Sequence, residues 1–496
     1  MLLSAIWLLP VLGAVLIDLL PKRAARTTGI AVSLIDLALT IVAAVGLVPG
    51  HHGYQFAVDL PWVPQFGASY HLGVDGISIW LLVLNAFLTV IALLAGGSVP
   101  RPRGFVALLL LLEGAMAGLF LSADLLLFYV FWEAMLIPAY FLLWLWGEGP
   151  RPAYAALKFV IFTLVGSLLM LVGVIGEYVF AGAGQHTFDL TTLAAHPATE
   201  AIQFGLFVLF ALAFAVKAPI FPFHSWLPTA YAAAPTPFLV VFAGVMGKTG
   251  VYAFLRLVVP LLPHPVLWWN WDAVMPVLAV AGIIWGALMA LNQRDLKMVV
   301  AYSSVSHMGF ILLGIFSLTE QGQQGALIQM VNHGIIIAAL FLLVAWIERR
   351  TGSRDRSVLR DLAPRMPVLA GVFMVVTLAS LGLPGLNSFV GEFMTLLGAW
   401  RQAPWEAVVG AIGLVLGPLY MLRIFQGAMY APRGQDPLPG HPPRSYTDPV
   451  KLPDLARLEA GLMVPLIALM FLIGFYPALL TSVMTALGYP LPVPWS

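Results

Sequence analysis

The sequence predicts an all-α protein: a polytopic membrane helical bundle of about fourteen transmembrane helices, with two inverted five-helix repeats and two broken helices. The first observation behind this is charge scarcity. The 496 residues hold 24 Lys and Arg against 23 Asp and Glu, and 61% are hydrophobic, with a mean hydropathy of +0.95. Soluble domains run near a quarter charged and half apolar, so a globular cytosolic protein and a disordered chain are both excluded. The second observation is the repeated occurrence of apolar runs of about 20 residues, the length a helix needs to cross a bilayer core of about 30 Å. A net charge of +1 offers nothing to a nucleic acid; the expected surroundings are a lipid bilayer and protein partners. The absence of cysteine removes disulfides, thiolate metal sites and thiol nucleophiles together.

In chain order the runs lie near 2–20, 28–48, 74–97, 104–122, 124–146, 157–180, 204–222, 236–257, 274–292, 296–317, 324–347, 367–400, 405–430 and 459–481. They form a single integral membrane domain over 1–496. The first run is followed by Lys22, Arg23 and Arg26 without a small-residue cleavage site, which predicts a retained span rather than a signal peptide. Alternate loops then carry the positive charge. Lys22, Arg23 and Arg26, Arg101 and Arg103, Arg151 and Lys158, and Arg294 and Lys297 come first. Arg349, Arg350, Arg354, Arg356, Arg360 and Arg365, and finally Arg433, Arg444, Lys451 and Arg457, complete a set of 19 of the 24 basic residues. The intervening loops 49–73, 181–203, 258–273 and 318–323 hold none. By the positive-inside rule this predicts an even span count with both termini outside and the basic loops facing the cytoplasm; a bacterial inner membrane is the expected location.

Spans 4–8 (about 104–257) and 9–13 (about 274–430) share a design, because the fourth span of each is interrupted. The first break reads Lys217-Ala-Pro-Ile-Phe-Pro-Phe-His-Ser-Trp-Leu-Pro228 and the second Gly382-Leu-Pro-Gly-Leu-Asn-Ser388. Proline in a helix removes a donor and frees a carbonyl one turn back, and unpaired backbone at membrane depth persists only inside protein or beside water. Five spans is an odd number, so the second unit runs inverted relative to the first. Paired broken helices in inverted repeats mark an ion or substrate path near the midplane.

Ionisable residues inside spans are few. Asp18, Glu177, Arg256 and Arg423 fall near span ends, where snorkelling and interfacial water account for them; Asp36 is mid-span but outside the repeats. Glu113, Glu133, Lys217, Lys248 and Glu392 each carry an insertion cost of roughly 2.5–3.5 kcal/mol, so they persist only if paired, hydrated or neutralised. Lys217 lies in the last turn before the first break and Glu392 is expected in the first turn after the second, positions where the helix dipole favours a cation and an anion respectively. A lysine beside a carboxylate holds or releases its proton as pairing and hydration change, which is what a proton relay requires. His307 and His333 lie in spans between Lys248 and Glu392, where neutral imidazoles pass protons near pH 7; His224 lies inside the first break. No nucleotide-binding Gly-rich loop and no strand is evident, and the chain offers proton chemistry without redox chemistry.

Four segments resemble one family. Phe131-Trp-Glu-Ala-Met-Leu-Ile-Pro138, Phe221-Pro-Phe-His-Ser-Trp-Leu-Pro228, Asp295-Leu-Lys-Met-Val-Val-Ala-Tyr-Ser-Ser-Val-Ser-His-Met-Gly309 and the Gly382-Leu-Pro-Gly…Phe-Val-Gly-Glu-Phe393 stretch are similar to the antiporter-like membrane subunits of NADH:quinone oxidoreductase (respiratory complex I). With a carboxylate at 392 the last motif is most similar to the M type; the sibling L type usually carries lysine there and continues into a long lateral helix, whereas this sequence ends at Ser496. The resemblance implies that Glu133 and Lys217 form an input pair, Lys248 is the central carrier, His307 and His333 continue the path and Glu392 ends it. It implies no cofactor in this chain, flavin and iron–sulfur clusters in partner subunits, and L- and N-type chains as neighbours. Two departures, Leu227-Pro-Thr-Ala-Tyr231 and Thr236-Pro-Phe-Leu-Val-Val-Phe242, fall close to Lys248 in sequence and bear on its water access. Subunits of multi-subunit Na⁺/H⁺ antiporters and of membrane-bound hydrogenases are the alternative readings.

Overall fold

The computed structural model describes residues 1–21, 23–51, 53–97, 99–271, 274–402, 404–431 and 452–484, with only the backbone of 268–271. Helices α1 (Leu2–Leu19) and α2 (Ala25–Val45) precede a hairpin, β1 (Gln55–Val63) and β2 (Ala68–Val74), which leads into α3 (Ile79–Ala95) and α4 (Pro102–Leu121). The next span is split into α5 (Leu125–Ala134) and α6 (Leu136–Trp146), followed by α7 (Pro152–Phe180), the short α8 (Leu190–Ala195) and α9 (Glu200–Lys217). After the first break come α10 (Trp226–Ala233) and a composite span: α11 (Thr236–Gly244), a 3₁₀ turn at Met246–Lys248, α12 (Thr249–Ala253), a π turn at Phe254–Val258 and α13 (Val259–Leu261). Then follow α14 (Pro263–Trp271), α15 (Val274–Asn292), α16 (Leu296–Phe316) and α17 (Glu320–Thr351). The last group is α18 (Pro367–Ser380) and α19 (Asn387–Gln402) flanking the second break, α20 (Pro404–Ala411), α21 (Gly413–Met429), α22 (Arg457–Phe475) and α23 (Ala478–Thr481).

Among the described residues twelve helical segments are long and apolar enough to cross a membrane, and the shorter apolar α3 and α18 complete the fourteen expected spans. The spans differ in how they are covered. The α11–α13 span is buried along its whole length and α16 and α17 are 94% buried, whereas α1, α2, the α20–α21 span and α22 are only 33% buried. The bundle therefore has a protein-sheltered centre and an apolar periphery of the kind that faces lipid or neighbouring chains.

Breaks are more numerous than the sequence suggested. Span five is interrupted at Met135, because the Pro138 ring conflicts with the carbonyl of Ala134 one turn back. The α11–α13 span departs from α-geometry twice, and each irregularity carries a charged side chain, Lys248 in the 3₁₀ turn and Arg256 in the π turn. The hairpin corrects the expectation of no strands. Gly67, at a φ of +63°, closes its turn after Pro64–Phe66, and nine residues of strand are too short to register in a search for membrane-length runs.

The basic loops gather at one end of the bundle. Arg26 donates to the Leu94 carbonyl at 2.7 Å, Arg103 to Leu20 and Arg101 to Leu145 at 3.3 Å. Lys297 pairs with Glu148 at 3.1 Å and Arg354 with Asp295 at 2.6 Å. Arg349 and Arg350 both grip Glu459, which also accepts from the Ala456 amide at the start of α22. Lys22, Arg433, Arg444 and Lys451 lie outside the described residues.

Candidate functional site

The first break places Lys217 as the last residue of α9. Beyond it the chain turns through Ala218–Pro222, and Trp226 reaches back to donate to the Val216 carbonyl at 2.8 Å, satisfying a helix-end acceptor. Lys217 is 3% exposed, and its Nζ sits 5.3 Å from the Trp132 ring centroid and 6.0 Å from that of Phe159. Among the described residues it has no hydrogen-bond partner; the charge acting on it is Glu133, half-buried at the end of α5. Tyr129, one turn before Glu133, brings its hydroxyl within hydrogen-bonding reach of that carboxyl.

Lys248 is fully buried and folds back to donate to the Ala243 carbonyl, an acceptor left without its helical partner by the 3₁₀ turn. Among the described residues no hydrogen bond or ion pair joins Lys217 to Lys248. The segments that carry them meet where Gly250 lies against Ala218, and a row of rings runs beside them: Phe159 packs on Phe242 with centroids 5.2 Å apart, and Phe242 on Tyr231 at 5.1 Å. A side chain at Gly247 would meet the Tyr231 hydroxyl, so the two departures noted in the sequence lie beside Lys248.

From Lys248 the groups are close. His333 of α17 feels both Lys248 and His307, and the two imidazole centroids are 5.1 Å apart. His307 Nδ1 lies 3.1 Å from Glu392 Oε1. That oxygen also accepts from Ser388 Oγ at 3.0 Å and Gln329 Nε2 at 3.2 Å. Tyr420 of α21 stands near the same carboxylate and bonds Ser303. The close approach of α19 to α17 depends on Gly391, because any Cβ there collides with the Gln329 side chain, and Gly382, at a φ of +75°, turns the break beside Glu392.

Several expectations change. Glu392 lies in the second turn of α19, five residues after Asn387, so side-chain donors rather than the helix N-terminus hold it. His224 does not join this line: it is half-buried at the rim of the first break, accepts from Trp285 Nε1 at 3.2 Å and stacks on Phe221. Glu113 instead accepts from Ser33 of α2 and lies beside Asp36 of the same helix. Arg256 and Glu177 are not span-end residues exposed to an interface; they are 6% and 0% exposed. Arg256 makes a bidentate pair with Asp75 at 2.6 and 2.7 Å, and both Glu177 oxygens are buried without a partner. Asp18 and Arg423 are exposed, as expected. Gln329, Ser388 and Tyr129 were missed, although each stands four residues before a singled-out residue (His333, Glu392 and Glu133), the spacing that stacks side chains on one helix face.

A bundle whose interrupted helices hold acids and bases in its sheltered centre defines an antiporter-like membrane protein. Residues 122–417 match the model of the NADH:quinone oxidoreductase/Mrp antiporter transmembrane family. The chain belongs to this family, on its antiporter-like M-subunit branch. An NADH-quinone oxidoreductase subunit M from Mycobacterium tuberculosis is 38% identical, covering 96% of this chain and 91% of the relative. A chain of respiratory complex I from Thermus thermophilus superposes with a TM-score of 0.88 at 34% identity over 99% of both chains. A chain of the Mrp complex from Dietzia sp., 21% identical, shares the fold with a TM-score of 0.83 over 99% of this chain and 52% of that one.

Proposed function

We propose that the chain is the M-type proton-translocating membrane subunit of an NADH:quinone oxidoreductase, carrying protons along a buried Glu/Lys/His relay coupled to electron transfer in partner subunits. The observation that carries this reading is the run Lys248, His333, His307, Glu392, in which an amine, two imidazoles and a carboxylate stand in sequence within the sheltered centre of the bundle. A neutral imidazole can accept at one nitrogen and donate from the other. His307 meets Glu392 directly, whereas neither nitrogen of His333 has a hydrogen-bond partner among the described residues. A proton leaving Lys248 therefore needs water or a side-chain swing at His333 to reach Glu392.

Glu133 and Lys217 form the input. An amine without a hydrogen-bond partner is held only by its carboxylate and by the faces of Trp132 and Phe159, so a change at Glu133 alters its hold on a proton. Transfer from Lys217 to Lys248 runs beside the row of Phe159, Phe242 and Tyr231 and needs side-chain movement or water entry. The two broken spans belong to inverted repeats at about 104–257 and 274–430. The basic end of the bundle faces the cytoplasm of a bacterial inner membrane with both termini outside; flavin and iron–sulfur clusters reside in partner subunits, and L- and N-type chains are the neighbours. The Na⁺/H⁺ antiporter reading shares the family model, but the Mrp chain is 21% identical to this one against 38% for the NADH-quinone oxidoreductase subunit M.

Glu133→Ala and Lys217→Ala are expected to abolish NADH-driven proton pumping in membrane vesicles, with the complex still assembled on native gels. Intact pumping in both assembled variants overturns the proposal.

A further inference from the structure

Away from the axis, two buried acids lack any counter-charge. Asp36 of α2 and Glu113 of α4 are each 0% exposed and lie side by side. Ser33 Oγ donates to Glu113 Oε2 at 2.7 Å. Both Asp36 oxygens and Oε1 of Glu113 are buried without a hydrogen-bond partner, and none of the ion pairs among the described residues includes either acid. A third helix contributes Asn85 of α3, also 0% exposed. Its Nδ2 donates to the Glu113 backbone carbonyl at 2.9 Å, while its Oδ1 is left buried and unpaired.

Ionised carboxylates only accept hydrogen bonds, so two of them side by side repel; a bond between them forms only when one is protonated and donates to the other. Like charges sharing a site divide a single proton, as in aspartic-protease dyads. We propose that Asp36 and Glu113 bind one shared proton. The Ser33 hydroxyl occupies Glu113 Oε2, which leaves Oε1 of Glu113 and the two Asp36 oxygens as the atoms between which the proton is shared. The unpaired Asn85 Oδ1 supplies a further acceptor where a proton or water arrives. The site lies where α2, α3 and α4 meet, and among the described residues its hydrogen bonds run from Ser33 and Asn85 and from no axis residue. It is thus a proton-binding site separate from the Lys248–Glu392 line.

Infrared difference spectra of the intact complex in H₂O and D₂O test this. Among the protonated-carboxyl carbonyl bands moved by D₂O, one assignable to this pair is expected in the native complex. It should be displaced in Asp36→Asn and in Glu113→Gln, absent in the double variant and unchanged in Glu133→Gln. Where the double variant does not assemble, the two single variants give the same reading. A band that survives in place in both single variants overturns the proposal. So does a native band that emerges only when sodium is replaced by choline, because the pair then holds a cation rather than a proton.

Discussion

Arg256 and Lys217 are cations buried to nearly the same degree, 6% and 3% exposed, in opposite surroundings. Arg256 holds Asp75 through two parallel bonds, donates to Tyr252 Oη at 3.1 Å and lies against the rings of Tyr54 and Tyr252. Asp75 in turn accepts from the Ile77 and Ser78 amides at the entry to α3. Burial works against the Asp75 charge, but the guanidinium and these amides outweigh it and hold the carboxyl below its usual range. Lys217 has two ring faces, a half-buried carboxylate and no hydrogen bond. Burial of a charge therefore does not by itself mark a working site; what separates these two cations is the number of bonds that hold each. The first cation is locked into the fold, and the second is free to change its proton.

The largest expected effect follows from breaking the locked pair. Asp75→Ala strands a buried guanidinium, at a cost of about 3–5 kcal/mol, and should deplete assembled complex or lower its thermal unfolding temperature. Lys217→Met removes a charge with no hydrogen bond to lose, so assembly and unfolding temperature should stay close to wild type while proton pumping disappears. Equal stability in the two variants would erase the distinction between locked and free cations.

Much of this contrast was hidden in the sequence. Spans and axis residues were legible because a Lys, Glu or His inside an apolar run is rare, whatever surrounds it. The pairing of Arg256 was not, because its partner is 181 positions away and a place near a span end suggested snorkelling. The 3₁₀ and π turns around Lys248 and Arg256 carry a signal that went unread: Gly244, Gly247 and Gly250 flank Lys248, and Pro260 stands one turn after Arg256, whose carbonyl its ring displaces. The interruption at Met135 did have a signal in Pro138, and the Gln329 and Ser388 contacts to Glu392 had one in their four-residue spacing.

A smaller effect probes the other end of the line, where Glu392 has three partners on one oxygen. Gln329→Leu removes one donor to Glu392 and the amide near His307, whose Nδ1 is 3.5 Å from Nε2. A hydrogen bond of this kind is worth about 1.5 kcal/mol, so proton transfer should slow about tenfold while the complex remains assembled. An unchanged rate would mean that His307 and Ser388 hold Glu392 by themselves, and that this end of the line is as over-determined as the Arg256 pair.

The smallest effect lies outside the membrane-spanning helices, at the end opposite the basic loops. His71 of β2 contacts Asp189 at 2.9 Å, Asp189 accepts from the Thr192 amide at the start of α8, and Asp124 accepts from Ser69 of β2 and from Leu127 in α5. The hairpin is thereby pinned to the first turns of two helices, one of which carries Glu133. The Asp189 hydrogen bond raises the His71 pKa above its ordinary 6.5; burial opposes this, and the charges of Asp189, Asp59 and Asp124 reinforce it. For Asp189, burial opposes the charge, but His71 and Thr192 outweigh it and lower the carboxyl. The His71 contribution is therefore complete below pH 6.5 and is lost as pH rises through the raised value. The Asp189 contribution is present above the ordinary carboxylate range and is lost as pH falls through the lowered one. Both partners are partly exposed, so the contribution is screened and small. Protection of the hairpin and α8 amides, measured as hydrogen exchange relative to the intrinsic rate at each pH, should fall as pH rises past the His71 transition, and His71→Gln should flatten that profile. A profile that stays the same in His71→Gln would show that the backbone bond from Ala123 to His71, at 2.9 Å, holds the hairpin without the imidazole.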